Sequence, residues 1–269
     1  MLKSFVKSIL QKHSNLRPEF HSILLSPVAM TIYKDAFTHS SIDSENNLEV
    51  YEQLGDVSIN KFLVWYCYER FPELRNPQGV KKVARIRINS VGTANFSKLA
   101  TGLGFLPHIM ATKESFEEEG ELKILEDVFE AFFGATEYIL DTQVRHGVGY
   151  TVIYGILSSI FNETHISLDY ESLFDAKTRL KEFFDRNKDL GITKYDTVQY
   201  KRDIENPDDV SYWTSTVYLL PSGGKGRVKL GYGKERLKAQ ASEVASEEAL
   251  KKLVEMGYDI KKPERVRVV

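Results

Sequence analysis

The stretch Glu49-Val50-Tyr51-Glu52-Gln53-Leu54-Gly55-Asp56 carries three carboxylates at intervals of three and four. On a helix such positions share one face. Around them the chain is apolar and aromatic: Leu48, Val57, Ile59, Phe62, Leu63, Val64, Trp65 and Tyr66. Ionised groups on a partly buried face need a partner, because an uncompensated charge costs several kcal/mol or shifts its pKa. A second stretch, Ile124-Leu125-Glu126-Asp127-Val128-Phe129-Glu130-Ala131-Phe132-Phe133-Gly134, repeats the anomaly, with Asp127 and Glu130 three apart. Oxygen-only donors of this kind suit hard cations such as Mg²⁺, with Mn²⁺ as a substitute. Glycine inside a helix costs up to about 1 kcal/mol relative to alanine. Gly55 and Gly134 therefore predict a close crossing of the two helices, which would bring the carboxylate sets together. Composition alone leaves open that the acids are solvated helix surface.

The remaining totals bound the class. The 269 residues suffice for one large domain or two small ones, and 42% hydrophobic with 28% charged residues is ordinary for a globular protein. Net charge is −2 overall, made of −5 up to Tyr170 and +3 beyond it, consistent with a basic C-terminal module. Cys67 is the single cysteine, so an intramolecular disulfide and a cysteine-built zinc site are excluded. This favours an intracellular home, cytoplasmic or nuclear. No apolar run has the length of a membrane span. Lys3, Lys7, Lys12 and Arg17 alternate with Leu2, Val6, Ile9 and Leu10 in a pattern that resembles an organellar targeting helix, although a surface-packed first helix is the favoured reading.

Helical periodicity dominates roughly the first 165 residues, which predicts an all-α domain. Pro18 and Pro27 sit where helices start. Helices are expected over 49–71, 81–101 with Gly102 as C-cap, 122–140 and 149–161. The grammar changes across the polar segment 162–170. A helix over 174–186, strands over 197–201, 212–220 and 227–232, a turn at Pro221-Ser222-Gly223-Gly224 and an alanine-rich helix over 237–256 follow. That α-β-β-β-α order is a small α+β module. The division expected is an N-terminal helical extension 1–27, a catalytic domain 28–163, a linker 164–172, an RNA-binding module 173–258 and a basic tail 259–269.

The signature Glu49-Val50-Tyr51-Glu52-Gln53-Leu54-Gly55-Asp56 resembles that of the ribonuclease III family, Glu-x-Leu-Glu-aromatic-Leu-Gly-Asp. Ala36-Phe37-Thr38-His39-Ser40-Ser41 is similar to its Ala-Leu-Thr-His-x-Ser, and the stretch around Asp127 and Glu130 to its second acidic motif. The C-terminal module is similar to a double-stranded-RNA-binding domain. The resemblance implies an all-α ribonuclease III endonuclease domain, working as a homodimer on double-stranded RNA and leaving 5′ phosphates with short 3′ overhangs. It implies Glu52, Asp56, Asp127 and Glu130 as metal-binding catalytic carboxylates, and Glu49 as an outer acid. The alternative is a catalytically silent structural RNA-binding protein of the mitochondrial ribosomal type, or one that sequesters duplex RNA.

Two departures matter. Gln53 stands where the family usually has an aromatic that helps form the dimer contact. The family's Lys-Lys-x-Ala-Lys reads Lys238-Ala239-Gln240-Ala241-Ser242, with Lys234 and Arg236 just before it, and the loop Glu205-Asn206-Pro207-Asp208-Asp209 is acidic. Weaker or redirected RNA binding is expected, carried by Lys234, Arg236 and Lys238 with Lys177 and Arg179. His39 reads as structural. Lys81, Lys82, Arg85 and Arg87 read equally as phosphate contacts or a solvated face. Tyr212, Trp213 and Tyr218 read as sheet packing rather than a stacking platform.

Overall fold

The computed structural model describes residues 1–13, 16–201, 211–224 and 226–261. It divides into two compact units, Met1–Ile166 and Ser167–Val269. The acidic loop 205–209 and most of the expected basic tail lie outside the described residues.

The first unit is built from α1 (Leu2–His13), α2 (Pro18–Leu24), α3 (Pro27–Ala36), α4 (Glu49–Arg70), α5 (Gly79–Ser90), α6 (Thr93–Leu103), the single turn α7 (Lys113–Ser115), α8 (Glu121–Gln143) and α9 (Val148–Asn162). Among the described residues its β structure is one isolated bridge, Thr38 with Met110. Both early prolines open helices, and at the second the Ser26 hydroxyl accepts from the Ala29 N–H at 3.2 Å. Helix α8 is the axis. Every residue from Ile124 to Thr136 is buried, so it is enclosed on all sides by α4, α6, α9 and α3. Phe96, Phe105, Phe129, Phe132 and Phe133 meet there edge-on or tilted, with ring centroids 5.0 to 6.0 Å apart. Val6, Ile9, Leu10 and Leu24 join this same core, so α1 and α2 each pack a face into it.

The single helix expected over 81–101 is two. The chain turns extended at Gly92 (ψ 150°), and the Asn95 side chain donates to the Ser90 carbonyl at 2.8 Å, closing α5 and opening α6. The C-cap is Gly104, not Gly102. Its φ of +82° is left-handed, a conformation that costs glycine nothing.

The second unit contains α10 (Tyr170–Leu173), α11 (Ala176–Arg186), β1 (Gly191–Tyr200), β2 (Tyr212–Pro221), β3 (Val228–Glu235) and α12 (Lys238–Glu255). Helix α10 occupies part of the stretch read as linker. The sheet is antiparallel in the order β1-β2-β3. Strand β1 starts six residues before the expected 197, because all ten of its positions from Gly191 to Tyr200 pair with β2. Ala241, Ala245 and Ala249 are fully buried where α12 lies on the sheet. The approach is close enough that a side chain at Gly231 or Gly233 would strike the Ala245 or Ala241 carbonyl. The triplet Tyr212, Trp213 and Tyr218 does not act as one packing group. Successive strand residues face opposite ways, so Tyr212 points away from Trp213.

No helix among the described residues is long and apolar enough to cross a membrane.

Candidate active site

Helix α4 starts where Asn47, itself buried, accepts the Glu49 N–H at 3.1 Å. It then crosses α8 at the two glycines. A side chain at Gly55 would collide with the Glu130 carbonyl, and one at Gly134 with the Tyr51 carbonyl. The missing side chains thus let backbone touch backbone, which offsets their helix cost. The crossing brings carboxylate oxygens of Glu52, Asp127 and Glu130 within 4.8 Å of one another. Glu126, Asp127 and Glu130 are only 6–8% exposed, and Glu52 is half-buried.

Asp56 and Glu49 line the same open cleft from more exposed positions, together with Gln53, Val91, Lys123 and Glu126. Asp56 Oδ1 accepts from Asn60 Nδ2 at 2.7 Å, which aims its carboxylate. The bend at Gly92 contributes too. It sets Val91 in the cleft wall and lets the Thr93 hydroxyl donate to Glu126 Oε2 at 2.7 Å.

Lys123 and Glu126 escaped the sequence reading. The Lys123 ammonium lies 2.5 Å from Asp127 Oδ1 and 3.3 Å from Glu126 Oε2. The signal was present in the helical spacing: 123, 126, 127 and 130 fall on one face at intervals of three and four. Asp127 rises above the usual carboxylate range through burial, an effect that Lys123 opposes. Burial first, then the charge of Asp127, pushes Glu52 to about 7. Glu130 is pushed to about 8 by burial, with Asp56, Glu126, Glu52 and Asp127 adding like charge. One ammonium is too little charge for six clustered acids. An all-oxygen donor set, buried and short of positive charge, fits a hard divalent cation.

The other nominated residues lie elsewhere. His39 is buried and braces a loop, with Nδ1 2.9 Å from Ser41 Oγ and Nε2 3.2 Å from Glu119 Oε1. Lys81, Lys82, Arg85 and Arg87 sit on α5. In the second unit the expected basic cluster is split. Lys234 Nζ lies 3.9 Å from the Tyr212 ring centroid and Lys238 Nζ 5.4 Å from that of Trp213, on opposite sides of the sheet. Lys177 Nζ lies 5.1 Å from the Tyr195 ring, Arg236 is exposed, and Arg179 Nε is buried without a hydrogen-bond partner.

Residues 49–138, which hold the carboxylates of both acidic helices, match the family model for the ribonuclease III domain. A ribonuclease 3-like protein of Invertebrate iridescent virus 6 is 38% identical over 93% of this chain and 86% of its own length. The chain belongs to the ribonuclease III family. Ribonuclease 3 of Ligilactobacillus salivarius is 31% identical over 81% of this chain and 88% of its own. The nuclease domain of ribonuclease III from Campylobacter jejuni, at 21% identity, covers 60% of this chain and 97% of that one with a TM-score of 0.43. The protein is a ribonuclease III-type endoribonuclease, and the acidic crossing of α4 and α8 lies within its family-defining segment.

Proposed function

We propose that this ribonuclease III cleaves double-stranded RNA with divalent metal, Mg²⁺ or Mn²⁺, held by Glu52, Asp56, Asp127 and Glu130. The observation that carries the reading is the convergence of the Glu52, Asp127 and Glu130 carboxylates within 4.8 Å on two helices packed through glycine. When bound, the ion supplies positive charge for the attacking water and the departing 3′ oxygen of a phosphodiester.

The chain's own groups do the holding. Asp127 and Glu130 come from the buried axis and move little, because the side chains around them are close-packed. Glu52 faces them across the glycine crossing. Asp56, aimed by Asn60, and Glu49 stand at the cleft mouth, where phosphate arrives. Lys123 offsets part of the acidic charge before substrate enters.

The homodimer rests on a stripe of α4 facing solvent. Val50, Leu54, Val57 and Trp65 are 42–65% exposed at intervals of four, three and eight, an apolar seam that a second copy would cover. Two clefts so paired would cut both strands of a duplex, leaving 5′ phosphates and short 3′ overhangs. The α-β-β-β-α second unit serves as the double-stranded-RNA-binding domain, with Lys177, Arg179, Arg236 and Lys238 as its basic groups and Lys234 set apart.

The test is cleavage of long duplex RNA by the purified chain, with Mg²⁺ and with chelator, beside Glu130→Gln. Cleavage in the first lane alone is expected. Intact RNA in every lane, or equal cleavage by Glu130→Gln, overturns the assignment.

A further inference from the structure

The sheet of the second unit has one face covered by α11 and α12, and the described residues of that unit leave its other face open, with a specific chemistry. Residues opposite one another in an antiparallel register share a face. Tyr200 pairs with Tyr212, Lys194 with Tyr218, Thr214 with Lys234, Thr216 with Tyr232 and Tyr218 with Lys229. All of these therefore lie on the side away from the helices, where Tyr200 and Tyr232 remain 45% and 39% exposed.

The rings are already arranged for stacking. Tyr200 and Tyr212 lie 4.8 Å apart at 17°, and Lys234 Nζ caps Tyr212 at 3.9 Å from its centroid. The Arg227 guanidinium lies 4.1 Å from the Tyr218 centroid, and Lys229 Nζ 4.9 Å from that of Tyr232. The one acid on this face among the described residues, Asp196, is taken up by Arg227 at 2.6 Å and Lys194 at 3.9 Å. Among the described residues, four cations against one neutralised acid leave the face positive.

From this arrangement we infer that the open sheet face binds single-stranded RNA, its tyrosines stacking on unpaired bases and its lysines and Arg227 contacting phosphates. Flat rings interleaved with cations match a chain of bases joined by phosphates. The net positive charge disfavours a second copy of the same face. A duplex hides its base faces and would leave the rings without a partner. This site is built from residues of the second unit alone and uses none of the metal-binding carboxylates.

The experiment uses the full chain in chelator, with a fluorescein-labelled unstructured RNA of about 12 nucleotides followed by anisotropy. Tyr200→Ala with Tyr232→Ala should weaken single-strand binding at least about tenfold. Tyr200→Phe with Tyr232→Phe, which keeps both rings, should stay within about twofold of the parent. Duplex affinity and the thermal midpoint should be unchanged in both, since the side chains face solvent. Failure of the parent to bind single strands, or equal binding by the alanine pair, overturns the inference. So does parallel loss of duplex binding, or displacement of the RNA by an acidic peptide as effectively as by unlabelled single strand.

Discussion

Glu130 carries the largest burden of any residue in the cleft. Burial first, then the like charge of Asp56, Glu126, Glu52 and Asp127, raises its pKa to about 8, and burial likewise raises that of Glu52 to about 7. An ordinary glutamate releases its proton near 4.5. The ion-free protein therefore takes up protons on folding across that window. The stability so conferred is fully present below about pH 4.5 and drains away as pH rises through about 7 and 8. Thermal unfolding in chelator should show a midpoint that falls between those limits, and added Mn²⁺ should raise it more at pH 8 than at pH 5. A midpoint independent of pH would refute this electrostatic picture. Glu130→Gln removes the repelling charge, so it should raise the ion-free midpoint at pH 8 while lowering the cleavage rate at least about a hundredfold. Lys123→Met should act oppositely on stability, lowering the ion-free midpoint at pH 8, with Mn²⁺ restoring it.

At the scale of elements, the site exists because α4 and α8 touch through backbone. Gly134→Ala inserts a methyl group into the Tyr51 carbonyl, and neither helix can yield without unpacking the aromatic core. A loss of about 3 kcal/mol is expected, read as a fall of roughly 10 °C in the first unit's thermal midpoint. Ala substitution at Gly155, which has open space around it, is the matched control and should be close to neutral. Equal effects at both positions would show that the crossing is not tight. The break between α5 and α6 belongs at this scale as well, because Gly92 turns what reads as one helix into a corner that delivers Thr93 to Glu126.

For the whole molecule, the proposed dimer rests on the exposed α4 stripe. Val57, 64% exposed, sits in the middle of it. Sedimentation at micromolar concentration should show a dimer for the parent chain and a monomer for Val57→Asp, with cleavage of both strands lost together. A parent chain that sediments as a monomer would remove the two-cleft mechanism. Gln53 lies beside this stripe and is exposed. It also lines the cleft, a placement beside the acids that the octapeptide alone did not disclose.

Much was legible in the order of residues. Carboxylates spaced by three and four in apolar surroundings, and a glycine on each acid-bearing helix, are local patterns that follow from 3.6-residue periodicity and the cost of burying charge. Prolines at helix starts and period-two strands are local in the same sense. What stayed hidden depends on approach between distant segments. Lys123 and Glu126 share a face of α8 by spacing, but that this face walls a cleft emerges only when α4 brings Glu52 across from it. The early start of β1 depends on its partner strand. The sidedness of Lys234 and Lys238 depends on which face of the sheet α12 covers. The amino-acid sequence by itself determined the two acid-bearing helices and the family they mark. Tertiary structure alone decided which charges converge, how far burial raises them and which aromatic rings face water, because burial and distance belong to the packed chain rather than to any stretch of it.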